Sequence, residues 1–201
     1  DEMHNRGGFV TIRDAGEGQQ KPYEINIALF SAFNEHLPAY LAAHTLLFSF
    51  QGLPALYIHS LLATLNDREL VEQTGRTRSI NRGYWLQATL EARLADPTSA
   101  QAQVLAHCLR IIECREAQPA LATHAAQAVS PSPPGVFILR REVPEQRLIV
   151  VASLLSSSQQ LPLHGTGLPP GVFTDRLTGR QVELSDTLAL APYEVLWLDV
   201  T

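Results

Sequence analysis

The chain has 201 residues, of which 45% are hydrophobic and 17% charged, so its composition is that of a packed globular protein and excludes disorder. The 15 Lys and Arg residues against 20 Asp and Glu give a net charge of −5, without any basic run, and this argues against a nucleic-acid partner. The longest apolar run, residues 39–50, is interrupted by His44 and is shorter than a membrane span, so we expect no membrane partner.

Two short segments near the start have the pattern of β-strands. Residues 8–13 are strand-like, and residues 23–27 alternate with a period of two. Gly16 and Gly18 lie between them and indicate a turn. The pair Tyr23-Glu24 stands at the start of the second segment, where it can serve either as a loop anchor or as a wall of a binding site.

Residues 39–58 predict a helix, a short loop and a buried strand. Apolar residues recur at helical spacing up to residue 51, Gly52 and Pro54 end the helix, and the apolar segment 55–58 predicts the strand. This order is half of a βα repeat, the unit of parallel-sheet folds. Since a parallel strand needs parallel neighbours and no others are predicted here, we expect the chain to be part of a longer polypeptide.

Residues 66–85 are polar, rich in Arg and Thr, and almost without periodicity, which is typical of a long functional loop. Arg76, Arg78 and Arg82 offer planar groups that could bind sugar hydroxyls, carboxylates or phosphates. The alternative is that they pair with nearby carboxylates to hold the loop in shape. That alternative is favoured for Arg76 and Arg78 and left open for Arg82. The carboxylates in question are Asp67, Glu69 and Glu72.

A second helix is predicted over residues 98–117. Asp96-Pro97-Thr98 is a typical helix start, Pro119 follows the end, and a stripe of apolar residues marks the expected buried face: Ala102, Leu105, Leu109 and Ile112. The two cysteines, Cys108 and Cys114, lie on different faces of this helix and cannot bridge each other. Free thiols of this kind suit a reducing cytoplasm.

From residue 125 onward the pattern changes to short strands separated by Pro and Gly turns. We expect strands at 136–140, 147–154, 171–177, 187–191 and 194–200. Thr178-Gly179-Arg180 indicates a hairpin turn. The absence of alternating helices predicts an antiparallel sheet, with a core face formed by Ile149, Val151, Leu196 and Leu198, while Trp197 would face another domain or solvent. We therefore place a domain boundary at 122/123, giving domains 1–122 and 123–201.

No sequence motif indicates a cofactor or a metal site. The chain has no glycine-rich phosphate loop, no C-x-x-C and no H-E-x-x-H pattern, and the seven histidines show no metal-ligand spacing. We expect no cofactor and no metal.

Several stretches resemble the alpha-amylase superfamily. Residues 46–57, which contain Gly52, Pro54, Leu56 and Tyr57, resemble the seventh helix and eighth strand of its (β/α)8 barrel, although Phe50 and Gln51 depart from the usual pattern. Residues 110–121 are similar to the last barrel helix, and residues 191–198 to the final strand of the C-terminal β domain. The resemblance implies an α/β plus all-β fold: the final segment of a (β/α)8 TIM barrel at 1–122, followed by an antiparallel C-terminal β domain at 123–201.

Two further stretches are similar to the sucrose phosphorylase group of that superfamily. These are Pro22–Asn26 and Gly75–Arg82, whose Ile-Asn-Arg sequence is the most specific part. The resemblance implies that Arg82 binds the glucosyl ring and that Tyr23 and Glu24 belong to a mobile loop facing the acceptor and phosphate. It implies a cytoplasmic, retaining glucoside phosphorylase that transfers glucosyl from an α-glucoside to phosphate and gives α-glucose 1-phosphate.

The family's catalytic carboxylates are not expected in this chain. Members use an Asp nucleophile, a Glu acid/base and a stabilising Asp, all on barrel strands that would precede residue 1, and a retaining mechanism needs two carboxylates about 5 Å apart. We therefore expect no catalytic residue here, an inactive chain, and the remainder of the barrel as a partner. The acceptor and any homo-oligomer are left open. The alternatives are a non-catalytic carbohydrate-binding or structural module, and a hydrolase or transglucosidase of the same superfamily.

Overall fold

The computed structural model describes residues 2–201 as seven helices, two 3-10 turns and ten strands. The helices are α1 (Glu2–Asn5), α2 (Leu29–Ala32), α3 (Leu37–Ser49), α4 (Ile58–Leu61), α5 (Arg68–Thr74), α6 (Gln87–Ala95) and α7 (Ala100–Glu116), and the 3-10 turns are Thr77–Asn81 and Pro119–Leu121. The strands are β1 (Phe9–Asp14), β2 (Gln20–Asn26), β3 (Ala126–Val129), β4 (Val136–Val143), β5 (Gln146–Ser153), β6 (Gln159–Pro162), β7 (Gly171–Asp175), β8 (Gln181–Leu184), β9 (Thr187–Leu190) and β10 (Val195–Asp199).

These elements form two compact units. The first unit comprises the chain up to Tyr40 together with Leu56–Ala106, and the second comprises Leu41–Ala55 together with His107–Thr201. Both α3 and α7 therefore continue from one unit into the other. The domain boundary expected at 122/123 stays a prediction.

In the first unit, the two strand segments predicted near the start of the chain form a hairpin. Strands β1 and β2 pair antiparallel, from Phe9 opposite Asn26 to Asp14 opposite Gln20, with an irregularity after Thr11. Gly16 and Gly18 lie in the connecting turn with φ of 92° and 73°. Glycine adopts these positive angles without the clash that a Cβ would cause, and this explains the turn.

The strand predicted at residues 55–58 is wrong for this structure. Residues 53–57 have no regular secondary structure, and α4 begins at Ile58. Leu53 is 87% exposed, and Tyr57 and Ile58 are about half exposed. A parallel strand forms only when neighbours accept and donate its backbone hydrogen bonds, and no parallel pair occurs within residues 2–201.

The segment 66–85 is more helical than its polarity indicated. Helix α5 begins where the Asp67 carboxylate accepts a hydrogen bond from the Leu70 backbone N–H at 2.8 Å, and it ends at Gly75 with a left-handed φ of 64°. The turn Thr77–Asn81 follows. Capping at both ends stabilises a helix as short as α5 without an apolar stripe, which is why periodicity failed to reveal it.

Helix α7 confirms the helix predicted at 98–117, but it buries a different face. Val104, Cys108 and Ile111 are at most 1% exposed, whereas Leu109 of the predicted stripe is 53% exposed. The buried residues lie one position before those of the predicted stripe, so the two faces are neighbours on the helix surface. Which of them is buried depends on the elements that pack against α7. Both cysteines are free thiols, as expected, and burial raises the pKa of Cys108 to about 11.

The second unit is built on the antiparallel sheet that the sequence predicted after residue 122. Six strands pair in the order β3-β4-β5-β10-β7-β8, and β6 and β9 form a separate pair. The turn at Thr178–Arg180 joins β7 to β8, as expected, with φ of 76° at Gly179. Three strands, β3, β6 and β8, were not among those predicted, and each of them has only four residues.

The register of the large sheet gives it two buried faces. Ile138, Val151 and Leu196 are cross-strand partners on the face that packs into the core shared with β6 and β9. The predicted core residues Ile149, Val151, Leu196 and Leu198 all belong to this core. On the opposite face, Val150 pairs with Trp197, which is fully buried, and the Trp197 indole N–H donates to the Ser49 hydroxyl at 2.8 Å.

Two arginines of the second unit hold the C-terminal end of α3. The fully buried Arg141 donates to the carbonyls of Ser49 at 2.9 Å and Ala122 at 2.8 Å, and Arg115 donates to three further carbonyls, those of Phe48, Phe50 and Gly52. Burial, reinforced by the charge of Arg115, lowers the pKa of Arg141 to about 10. The partial negative charge at a helix C-terminus compensates cations in this position.

Within residues 2–201, no helix combines the length and the apolar content that crossing a bilayer requires.

Candidate functional site

The site predicted from sequence lies in the first unit and is positioned by the turn at Asn66-Asp67. The Asn66 side chain accepts from the Ala28 backbone N–H at 2.7 Å and donates to the Arg6 carbonyl at 3.2 Å. The Asp67 backbone N–H donates to the carbonyl of Ile80, whose side chain is fully buried. These hydrogen bonds fix both ends of the segment 67–80 and therefore set where its arginines lie.

A cavity of about 760 Å³ opens between this segment and the hairpin. It is lined by Thr11, Glu24, Leu70, Thr74, Gly75, Arg76, Thr77, Arg78, Ser79, Arg82 and Tyr84, and we call it the arginine cavity. Three arginines and one carboxylate give its wall a net positive charge. Guanidinium groups bind phosphates, carboxylates and sugar hydroxyls through several donors at once.

Arg78 forms an ion pair inside this cavity. Its Nε lies 2.9 Å from Oε2 of Glu24, and the Arg78 and Glu24 side chains are 56% and 33% exposed. The expectation that Arg78 would be held by a carboxylate is therefore met, but its partner lies on β2 and is none of the three nearby carboxylates that we expected. An exposed pair of this kind adds little to stability, and its effect is to orient both side chains.

Arg76 and Arg82 differ from Arg78. Both are exposed and line the cavity, and neither guanidinium has an ion-pair partner among residues 2–201. The pairing favoured from sequence for Arg76 is thus not found in the part of the chain that the structure describes. Both interpretations were open for Arg82, and its guanidinium donors are available to a ligand.

The three predicted binding residues do not all come together. Glu24 and Arg82 line the arginine cavity, whereas Tyr23 lines a separate depression of about 380 Å³, where the Arg13 guanidinium lies 5.3 Å from the centre of its ring. The pairing skips Tyr23, because Glu24 lies opposite Thr11 and Pro22 lies opposite Ile12. Tyr23 therefore stands in a bulge of β2, and a bulge changes the direction of a side chain relative to its neighbours.

Tyr84 also lines the arginine cavity, although it was not among the binding residues predicted from sequence. Its side chain is 87% exposed and lines the arginine cavity next to Arg82. The signal was available, since Tyr84-Trp85 is an aromatic pair two residues after Arg82 in an otherwise polar segment. Among residues 2–201, no three His, Cys, Asp or Glu side chains are close enough to hold one metal ion.

Known proteins match this chain at both the sequence and the structure level. Residues 126–199 match the family model described as "Amylosucrase, C-terminal domain". The glucosylglycerate phosphorylase of Spirochaeta thermophila is 30% identical over 215 aligned residues, which cover 98% of this chain and 36% of that protein. The sucrose phosphorylase of Bifidobacterium adolescentis is 33% identical over 84 residues, covering 42% of this chain and 17% of that protein.

The chain is homologous to glucosylglycerate and sucrose phosphorylases and corresponds to the C-terminal portion of such proteins. The crystal structure of sucrose 6F-phosphate phosphorylase from Thermoanaerobacter thermosaccharolyticum agrees, with a TM-score of 0.64 and 26% identity over 77% of this chain and 30% of that chain. The chain spans about a third of the length of the first of these relatives. These comparisons confirm the family resemblance and the fold class predicted from sequence.

Proposed function

We propose that the complete protein transfers a glucosyl unit from an α-glucoside to inorganic phosphate and releases α-glucose 1-phosphate. The similarity to a glucosylglycerate phosphorylase over 98% of the chain carries this proposal. The positive wall of the arginine cavity supports it, because such a wall suits an anion such as phosphate. The free thiols of Cys108 and Cys114 fit a protein of the reducing cytoplasm.

The reaction retains the configuration at the anomeric carbon through two displacements. A carboxylate first attacks that carbon, and the bond to the acceptor breaks as a carboxylic acid protonates the leaving oxygen. A phosphate oxygen then attacks the same carbon and displaces the carboxylate. In this scheme the reacting carboxylates come from the part of the barrel outside this chain, so residues 1–201 alone are inactive.

This chain supplies binding groups to the proposed reaction. Arg82 donates hydrogen bonds to the glucosyl ring, and Glu24, held by Arg78, faces the acceptor and phosphate side. Tyr23 lies on the same hairpin as Glu24. It would reach the substrate only if that hairpin changes conformation, since in this structure it lines another depression.

The test is phosphate-dependent release of α-glucose 1-phosphate by the complete protein. Glucosylglycerate and sucrose are assayed as donors in parallel, with and without phosphate, and free glucose is measured in the same samples. We expect α-glucose 1-phosphate from at least one donor only when phosphate is present. Release of free glucose at a rate independent of phosphate would instead support the hydrolase alternative, and binding without turnover would support a non-catalytic module.

A further inference from the structure

A second cavity of about 770 Å³ lies in the same unit and has no role in the proposed reaction. It is lined by Phe30, Glu35, Thr64, Leu65, Asn66, Asp67, Arg68, Glu69, Gly83, Tyr84, Trp85, Thr89, Arg93, Thr98, Ser99, Ala100 and Gln101, and we call it the polar cavity. Tyr84 is the only residue that lines both this cavity and the arginine cavity as the structure describes them. Its volume is within the range of small-molecule sites.

Two aromatic side chains, Trp85 and Tyr84, line the polar cavity, and they differ in how firmly they are held. The Trp85 indole N–H donates to the hydroxyl of Thr64 at 2.9 Å, and Thr64 is 7% exposed, so Trp85 is fixed from behind. Tyr84 is 87% exposed, which leaves its ring available to a ligand. Aromatic rings stacked against the apolar face of a sugar bury area at little entropic cost, and their polar edges remain available for hydrogen bonds.

The charges around the polar cavity nearly balance, with three carboxylates against two guanidinium groups. Glu35, Asp67 and Glu69 oppose Arg68 and Arg93 on its wall. The arginine cavity has one carboxylate against three arginines. A wall that offers donors and acceptors in similar number favours a neutral molecule with many hydroxyls over an anion, since each hydroxyl both donates and accepts.

We propose that the polar cavity binds a neutral sugar or polyol, with Tyr84 as the stacking contact and the surrounding carboxylates and arginines as hydrogen-bond partners. The cavity is separate from the groups proposed to bind the glucosyl donor. The ligand would therefore bind beside the reacting substrate, with the Tyr84 ring between the two.

Maltose, a neutral disaccharide, is the probe, and its dissociation constant is measured calorimetrically on the complete protein. Thr89→Trp fills the polar cavity from the exposed face of α6 without reaching the arginine cavity, and Tyr84→Ala removes the stacking ring. The matched control is Leu86→Ala, because Leu86 is 75% exposed and lines neither cavity. Binding of inorganic phosphate is measured on every variant as the probe of the arginine cavity.

We expect Thr89→Trp to abolish one maltose site while phosphate binding stays unchanged, and Tyr84→Ala to weaken that site about three- to tenfold, the loss expected for an aromatic contact. Leu86→Ala should bind maltose like the unmodified protein. If Thr89→Trp binds phosphate normally and still binds maltose with unchanged affinity and stoichiometry, the proposal is wrong. Because phosphate binding is followed separately, failure here is distinguishable from failure of the phosphorylase proposal.

Discussion

At the scale of single residues, the three arginines of the segment 76–82 have different roles. Arg78 is paired with Glu24 at 2.9 Å and fixes the hairpin wall of the cavity. Arg82 has no ion-pair partner among residues 2–201 and caps the turn Thr77–Asn81 only through its backbone N–H, which donates to the Ser79 carbonyl at 3.0 Å. Its guanidinium therefore contributes little to the fold and remains available to a substrate.

Arg82→Ala in the complete enzyme should lower turnover sharply and leave thermal stability nearly unchanged. The change removes a charged hydrogen bond to the glucosyl ring, worth roughly 1.5–3 kcal/mol, which corresponds to about ten- to a hundredfold in rate. The measurement is kcat/KM for phosphorolysis together with the melting temperature.

The matched control is Arg110→Ala, an exposed arginine of α7 that lines neither cavity. It should leave both quantities unchanged. If Arg82→Ala lowers the melting temperature strongly while turnover per folded molecule stays normal, Arg82 is structural and its proposed substrate contact is wrong.

At the scale of elements, the end of β10 is held by one carboxylate. Asp199 accepts hydrogen bonds from Gln146 and from the Arg176 Nε, both at 3.0 Å, and from the Thr201 backbone N–H at 3.1 Å. Burial opposes its ionisation, but the hydrogen bonds from Thr201, Gln146 and Arg176 outweigh burial and lower the pKa of Asp199 to about 2. The ionised form therefore ties β10 to the start of β5 and to the turn after β7.

We expect this carboxylate to make the protein sensitive to acid. Because the pKa of Asp199 is depressed in the folded state, its contribution is complete above pH 4 and is lost as the pH falls toward 2, and the difference is worth about 2 kcal/mol. Asp199→Asn should therefore be less stable than the unmodified protein at pH 6, and the gap should narrow progressively below pH 4. Denaturant unfolding at several pH values measures this gap, and a gap independent of pH would contradict the role given to ionised Asp199.

At the scale of the whole molecule, the segment after α3 exposes apolar side chains that a buried strand would cover. Leu53 is 87% exposed, and Tyr57 and Ile58 are 49% and 52% exposed. We propose that the remainder of the barrel covers this segment in the complete protein and pairs with its backbone. Exposed large apolar side chains that lie so close together in sequence are typical of a segment that another part of a protein covers.

Residues 1–201 produced on their own should neither turn over the donor nor remain a stable monomer. The reacting carboxylates lie outside the chain in the proposed mechanism, and positioning groups cannot replace a nucleophile. Phosphorolysis, light scattering and amide exchange over residues 39–62 are measured on a sample whose intact mass shows this chain alone. Turnover by such a sample, or a monodisperse monomer with slow exchange across those residues, would contradict the prediction.

The sequence by itself determined the features that depend on neighbouring residues. Extended segments of five or more residues predicted both strands of the hairpin and most strands of the second unit, and Gly179 marked the turn between β7 and β8. The core face of the large sheet followed from a period of two. The motif at residues 75–82 indicated the family. Each of these is local information, because the relevant residues lie within one element or one turn.

Only the tertiary structure decided the features that depend on distant partners. Arg78 is separated from Glu24 by 54 positions, so its pairing could not be chosen over that with closer carboxylates. The elements that pack against α7 determine which of its faces is buried. The Trp197 indole N–H donates to the Ser49 hydroxyl, which is 148 positions away in the sequence. The segment 55–58 has the residues of a strand but not its neighbours. A strand is a property of a pair, and the identity of the partner is not contained in the local sequence.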